Sequence, residues 1–144
     1  MEKIFLTKGI NDCLIVMPND PAVVEKTAAE ELQSYLEKAL DVKYPIVSEA
    51  EARGKGIYVG QTEFAANAGI CGTSMENWII AIREGNLILT GGVNRGERGI
   101  IYAAYHFLED FVGVRWWNPY EEDILSLESL SLDEDLYKEG CHST

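Results

Sequence analysis

The chain has 144 residues and a formal net charge of −12, from 24 acidic and 12 basic residues. Its apolar content of 47% and aromatic content of 10% are those of a folded protein, and its length suits one domain spanning residues 1–144. The acidic balance argues against a nucleic-acid partner, which would require basic patches. No apolar run reaches the ~18 residues of a membrane span, and the first residues do not form a signal peptide. The compartment is left open.

The first half of the chain predicts a long helix set between short strands. Asn11 and Asp12 form a turn signal between two apolar runs. Asp20 is expected as the N-cap of the helix and Pro21 as its first residue. Apolar residues at helical spacing predict the buried stripe, and Glu25 is among the polar residues largely off it. The predicted elements are strands at 3–6, 13–17, 44–47 and 56–60, and a short helix at 63–68.

The second half predicts a hairpin, a second long helix and a final core strand. Gly85 lies in the expected hairpin turn. Asn94 is a candidate cap for the helix, and Gly113 is expected to end it in the left-handed conformation. The predicted elements are strands at 78–82 and 86–90, a helix at about 96–112 and a last core strand at 114–117. Alternating strands and helices in this order predict a mixed β-sheet with helices packed on it, an α/β (α+β) sandwich.

The last part of the chain is strongly acidic. Residues 118–144 carry eight acids and one base, Lys138. Such a charge pattern is typical of a solvated and mobile terminus. Several leucines indicate one or two extended pieces, but the alternation slips between Leu127 and Leu130. We therefore expect residues of about 120–144 to form an acidic C-terminal extension.

A glycine-rich turn, GGVNRGERG, follows the strand at 86–90. A strand, a glycine turn and a helix start together resemble an anion-binding turn, but the P-loop lysine and a true G-x-G-x-x-G are missing. The glycines are therefore expected to permit tight turning and close helix–sheet packing. Arg95 and Arg98 oppose the helix dipole there, at ~0.3–1 kcal/mol each. A carboxylate of this domain or of a partner is expected to offset them, with an anionic ligand as the alternative.

An aromatic segment follows the second long helix and contains Arg115, Trp116 and Trp117. Neighbouring side chains of a regular strand face opposite sides, so both indoles cannot enter one core. Three interpretations remain open: burial by the tail and helix, contact with another domain, or stacking on a sugar ring. We take Arg95, Arg115, Trp116 and Trp117 as candidate residues for ligand or interdomain contact.

The sequence predicts no catalytic set, no cofactor and no metal site. Cys13, Cys71 and Cys141 are too widely spaced for a zinc motif. Cys13 lies in an apolar run and is expected to be a buried free thiol, while a Cys71–Cys141 disulfide is left open. His106 and Glu109 lie three residues apart on a helix without visible partner ligands. No serine or cysteine has the context of a nucleophile.

Six motifs follow one another along the chain: Ala28–Ala39, Pro45–Val47, Ile57–Thr62, Gly91-Gly92 with Arg95-Gly96, Tyr102–Glu109 and Gly113–Trp117. Taken in this order, they resemble the N-terminal domain of family 67 alpha-glucuronidases. The same domain precedes the barrel in family 20 beta-hexosaminidases and occurs in related uncharacterised bacterial proteins. The resemblance covers about residues 4–132.

The resemblance implies a beta-hexosaminidase domain-2-like fold, zincin-like but without the H-E-x-x-H zinc motif. Catalysis in those families belongs to a following (β/α)8 barrel, which needs at least ~200 residues. The expected function is thus a non-catalytic accessory domain of a larger glycoside-hydrolase-like protein. Its expected partner is the C-terminal catalytic barrel of the same parent chain. The alternative is a carbohydrate-binding module that uses an exposed tryptophan and Arg95.

Overall fold

Ten strands and three α-helices make up the part of the chain that the structure describes. The structure is a computed structural model that describes residues 2–72, 77–92, 98–118, 121–124 and 126–141, without the side chains of 116–118 and 121–123. The strands are β1 (Glu2–Thr7), β2 (Leu14–Met17), β3 (Ile46–Ser48), β4 (Gly56–Val59), β5 (Asn77–Arg83), β6 (Asn86–Gly91), β7 (Arg115–Asn118), β8 (Glu121–Asp123), β9 (Ser129–Asp133) and β10 (Tyr137–Cys141). The helices are α1 (Val23–Leu40), α2 (Glu63–Asn67) and α3 (Gly99–Phe107), which continues as a π-helical turn (Leu108–Val112). A 3-10 turn (Glu49–Glu51) follows β3.

Six strands form the central mixed sheet in the order β10-β5-β6-β4-β2-β3. Strands β3, β2, β4 and β6 run parallel, and β5 pairs antiparallel with both β6 and β10. The parallel strands are short apolar runs, as expected for strands covered on both faces. The mixed sheet with packed helices that the sequence predicted is therefore confirmed.

The helices divide between the two faces of this sheet. The larger core joins α1 and α3 to one face, where Leu36 and Phe107 are completely buried among strand residues such as Ile57 and Leu89. The smaller core covers the other face, with Ala65 of α2 against the strands. No helix in the described ranges is long and apolar enough to cross a membrane.

The start of α1 differs from the predicted one. The helix begins at Val23 with Ala22 as the N-cap, two residues beyond the expected cap at Asp20. The Ala22 amide donates to Glu25 Oε1 at 2.8 Å, so the side chain of Glu25 serves the first turn instead of the aspartate. Glu25 is 0% exposed, which corrects the prediction that it lies off the buried face.

The acidic tail is part of the fold, which corrects the prediction of a solvated, mobile terminus. Strand β9 pairs antiparallel with β1, and β10 extends the central sheet beside β5. Leu130 and Leu132 are buried while Ser129 and Ser131 face solvent, since side chains alternate along a strand. Leu127 lies before β9, where its amide donates to the Ala39 carbonyl at 2.8 Å. Because Leu127 lies outside β9, it does not share the alternation of Leu130 and Leu132, as the sequence pattern had indicated.

The prediction of a last core strand at 114–117 is also corrected. Within the described residues, β7 pairs with β8 in a separate two-stranded ribbon, and β10 takes the place in the central sheet. Val114, just before β7, is fully buried, so the apolar residue that suggested a core strand contributes from outside it. The pairing shifts register between Trp116 and Asn118, so regular alternation does not hold in β7.

Cys13 is a buried free thiol, as predicted, and Cys71 is exposed and free, so it is not joined to Cys141 by a disulfide. Burial raises the pKa of Cys13 to about 12, against a smaller opposing effect of the Lys55 charge. Tyr44 lies close by, and burial together with the charges of Cys13 and Asp12 raises its pKa to about 12. Its buried hydroxyl has no hydrogen-bond partner in the structure.

We predict that Leu130→Ala lowers the free energy of unfolding by about 2–5 kcal/mol, the cost of emptying a buried leucine site. Ser131→Ala, on the exposed side of the same strand, is the control and should change it by about 0.5 kcal/mol or less. Urea denaturation measures both. Equal stability of the two variants would mean that the tail is a solvated extension after all.

We also predict a loss of stability at alkaline pH that depends on Cys13. A thiol whose folded-state pKa is raised contributes stability that is complete below pH 9 and is lost as the pH rises towards about 12. The slope from this one group is at most about 1.4 kcal/mol per pH unit. The free energy of unfolding, measured by denaturation at several pH values between 8 and 11, should therefore fall less steeply with pH in Cys13→Ala than in the control Cys71→Ala. An unchanged slope in Cys13→Ala would contradict the assignment.

Candidate functional site

The carboxyl ends of the parallel strands form the first candidate site. Each of β2, β4 and β6 is followed by a helix, so the starts of α1, α2 and α3 gather along one edge of the sheet. After β2 the chain crosses to β3 on one side of it in the sheet. After β4 the chain crosses in the opposite direction, to β5 and β6. Ligands of open α/β sheets bind in the crevice at such a reversal.

A buried carboxylate occupies this crevice. Oxygen Oε1 of Glu25 accepts the Ala22 amide at 2.8 Å, and Oε2 accepts the Gln61 amide at 2.7 Å. The first contact closes the initial turn of α1, and the second joins that turn to the end of β4. Hydrogen bonds between a carboxylate and buried amides are among the stronger ones in proteins. The side chain therefore fastens helix to sheet at the position where a ligand would be expected.

Glycine at position 60 makes this contact sterically feasible. Gly60 has φ +102°, and a Cβ atom there would come within 2.3 Å of Glu25 Oε2. Gln61 extends the connection, because its Nε2 donates to the carbonyls of Gly91 and Gly92 at 3.3 and 3.4 Å. One carboxylate and one amide side chain thus link the first turn of α1 to the ends of β4 and β6.

The glycines after β6 pack backbone against backbone, as the sequence predicted. A Cβ atom on Gly91 would lie 2.0 Å from the Asn77 carbonyl oxygen, and one on Gly99 would lie 2.1 Å from the same atom. A Cβ atom on Gly72 would lie 2.2 Å from the Gly92 carbonyl oxygen. The start of α3 and the ends of two strands therefore touch here, and the glycines serve close packing.

The chemistry available at this edge is structural. Both oxygens of Glu25 accept backbone amides, which leaves the carboxylate poorly placed for proton transfer to a substrate. The described residues contain no group of three or more His, Cys, Asp or Glu side chains that could hold a metal ion. His106 instead stacks on Trp78, with ring centroids 4.1 Å apart.

The candidate residues singled out from the sequence differ in how much the structure describes of them. Arg95 and the predicted cap Asn94 lie outside the described residues. Trp116 and Trp117 belong to β7, but their side chains are not described. Arg115 is exposed, and its Nη1 donates to the carbonyls of Glu109 and Val114 at 2.9 and 3.2 Å. It therefore neutralises carbonyls at the end of a helix, where a positive charge also suits the dipole.

Sequence reasoning missed Glu25 and Gln61. A glutamate in the first turn that reaches back to the N-cap amide is half of a capping box, so its local role was detectable. The other half is missing, because alanine at position 22 cannot return a side-chain hydrogen bond. No pattern in the sequence indicates that Gln61, 36 residues away, shares the same carboxylate.

A second candidate site is a cleft on the outer side of the helix layer. It has a volume of about 340 Å³ and is lined by Glu31 and Tyr35 of α1, Tyr105 of α3 and Glu109 of the π-helical turn. Burial raises the pKa of Tyr105, and the negative charge of Glu31 raises it further. The cleft is therefore aromatic and electrostatically negative.

Comparison with known proteins identifies the class of fold. No family model matches the chain, and no curated protein sequence does. A solved structure of a family GH115 4-O-methyl-alpha-glucuronidase with specificity for decorated arabinogalactans shares the fold: the TM-score is 0.64, the identity 19%, and the match covers 93% of this chain. The matched part is 18% of that enzyme, so the chain spans less than a fifth of its length.

A GH138 enzyme targeting pectin rhamnogalacturonan II also matches, with a TM-score of 0.45, 19% identity and coverage of 68% of this chain and 10% of that one. Of these two matches, only the GH115 enzyme has a TM-score high enough to indicate a shared fold. This mixed α/β unit therefore also occurs as part of a glycoside hydrolase. The relationship to families 67 and 20 that the sequence resemblance implied stays a prediction.

We predict that Glu25→Ala lowers the free energy of unfolding by about 2–5 kcal/mol, because two amides lose their buried acceptor. Glu30→Ala is the matched control, since Glu30 is exposed on the same helix. Glu25→Gln should retain much of the loss, because its amide group offers one acceptor oxygen to two donors. Denaturant titrations that show Glu25→Ala as stable as Glu30→Ala would contradict the proposed link.

Proposed function

We propose that this chain is a non-catalytic accessory domain of a larger glycoside-hydrolase-like protein. In this proposal it packs on and supports a (β/α)8 catalytic barrel in the same parent chain. The observation that carries the proposal is the fold, shared over 93% of this chain with 18% of a GH115 4-O-methyl-alpha-glucuronidase. A unit that fits nearly whole inside a much larger enzyme suits the role of one domain among several.

The state of the sheet edge supports a non-catalytic role. Where other α/β proteins bind ligands, this chain has a carboxylate engaged by two backbone amides and glycines in backbone contact. These contacts stabilise the edge and leave little room for a reacting group. Most glycoside hydrolases use two carboxyl groups that face one bond, and at this edge Glu25 is already committed to the fold.

A carbohydrate-binding module is the less favoured alternative. It relies on Trp116 or Trp117 as a stacking platform and on Arg95 for a uronic carboxylate, and no described side-chain contact supports these roles. Arg115, the one described side chain among the candidates, binds carbonyls of its own chain.

The proposal is tested by comparing two proteins: the 144-residue chain and the full product of the reading frame that contains it. We expect the longer protein to release 4-O-methylglucuronic acid from decorated arabinogalactans. The chain alone should release none above the buffer blank, because its edge carboxylate is structural. Product is measured by anion-exchange chromatography.

A third protein, the longer product without residues 1–144, serves as the control for support. If the domain stabilises the barrel, this deletion should unfold at a lower temperature than the intact protein. Hydrolysis by the 144-residue chain alone would contradict the proposal. So would a reading frame that encodes no barrel.

A further inference from the structure

Two helices present the same pair of residue types to the cleft on the helix layer. Glu31 and Tyr35 are four residues apart on α1, and Tyr105 and Glu109 are four residues apart at the end of α3. Residues at this spacing lie on one face of a helix. Since both helices follow parallel strands, they run in the same direction, and the two pairs meet across the groove between them.

The described lining of this cleft carries two carboxylates and no basic side chain. Neither Glu31 nor Glu109 is in any of the salt bridges that the described residues form. Arg115 lies near Glu109, but it donates to the backbone carbonyl of that residue. With a chain net charge of −12, the cleft attracts cations and repels a uronic acid. Two carboxylates beside two phenol rings form a favourable environment for a positively charged group.

An unusual turn holds one of the two carboxylates in place. Residues Leu108–Val112 form a π-helical turn, closed where the Gly113 amide donates to the Leu108 carbonyl at 2.8 Å. Such i→i+5 turns are rare and occur frequently at functional sites. Glu109 lies within this turn and reaches the cleft from it, so the irregular backbone bears directly on the geometry of the site.

We propose that this cleft receives an arginine side chain of the protein surface that packs on the helix layer. If the proposed function holds, that surface belongs to the catalytic barrel of the parent chain, and this identification of the partner rests on that function. A guanidinium group is planar, binds carboxylates through paired donors and stacks on aromatic rings. Lys38 Nζ lies 5.2 Å from the Tyr35 ring centroid, a cation–π contact of the kind that an arginine would make in the cleft.

The cleft is tested directly by NMR titration of the 144-residue chain with N-acetyl-arginine amide at constant ionic strength. We expect saturable shifts of the Tyr35 and Tyr105 ring resonances with a dissociation constant in the millimolar range. Glu31→Gln and Glu109→Gln should each weaken binding by about fivefold, which corresponds to about 1 kcal/mol, because glutamine removes the charge but keeps one acceptor oxygen. N-acetyl-lysine amide should bind more weakly, because an ammonium group cannot form the paired contact.

The matched control is Glu30→Gln, an exposed glutamate one position away on the same helix. Its affinity for the probe should equal that of the unchanged chain. Absence of saturable shifts, or equal weakening in Glu30→Gln, would overturn the proposal. Tighter binding of neutral xylotriose than of the arginine probe would also overturn it and would identify a carbohydrate site instead.

A second measurement separates this proposal from the proposed function. In the full product of the reading frame, Glu31→Arg combined with Glu109→Arg should speed limited proteolysis between domain and barrel at least fivefold, while Glu30→Arg should not. An active longer protein with unchanged proteolysis would overturn the cleft and leave the accessory role intact. Activity of the 144-residue chain alone would instead reject the accessory role, and the titration would still decide the cleft.

Discussion

The fold depends on one buried carboxylate that accepts two backbone amides. Glu25 joins the first turn of α1 to the end of β4, and Gln61 carries the connection on to the end of β6. A charge removed from water is tolerated only when its oxygens are hydrogen-bonded. The glycine at position 60 is needed because any side chain there would collide with the carboxylate. The sheet edge is therefore closed by contacts that also set the position of the helix layer.

The closed sheet edge distinguishes this domain from α/β proteins that bind a ligand at the same place. In many α/β proteins the reversal of strand order leaves an open crevice for a ligand, and here the same place is filled with structural hydrogen bonds. The outer face of α1 and α3 is different, because it carries two carboxylates and two tyrosines around an open cleft. A domain with a filled sheet edge and a negatively charged helix face is suited to docking on a neighbour, as the proposed accessory role requires.

The order of elements through α3 was predictable, since apolar periodicity of 3.6 or 2 residues is a local signal. The errors arose where long-range contacts outweighed local ones. Residues 118–144 appeared solvated because of their charge, yet Leu130 and Leu132 suffice to bury β9 against the core. Strand β7 appeared to be a core strand because Val114 is apolar, yet β10 pairs with β5 in its stead. A chain segment cannot show which distant strand it will pair with.

The sequence by itself determined the class of fold, the buried thiol at Cys13 and the packing role of the glycines after β6, because each follows from local composition and spacing. It also indicated the family resemblance, of which the comparisons bear out the link to glycoside hydrolases at the level of fold. Tertiary structure alone decided that Glu25 is buried, that Gln61 shares its carboxylate and that Glu31, Tyr35, Tyr105 and Glu109 meet. Glu25 and Gln61 lie 36 residues apart, and the cleft residues of α1 lie 70 or more residues before Tyr105 and Glu109. Such contacts exist only after the sheet has brought α1, β4 and α3 together.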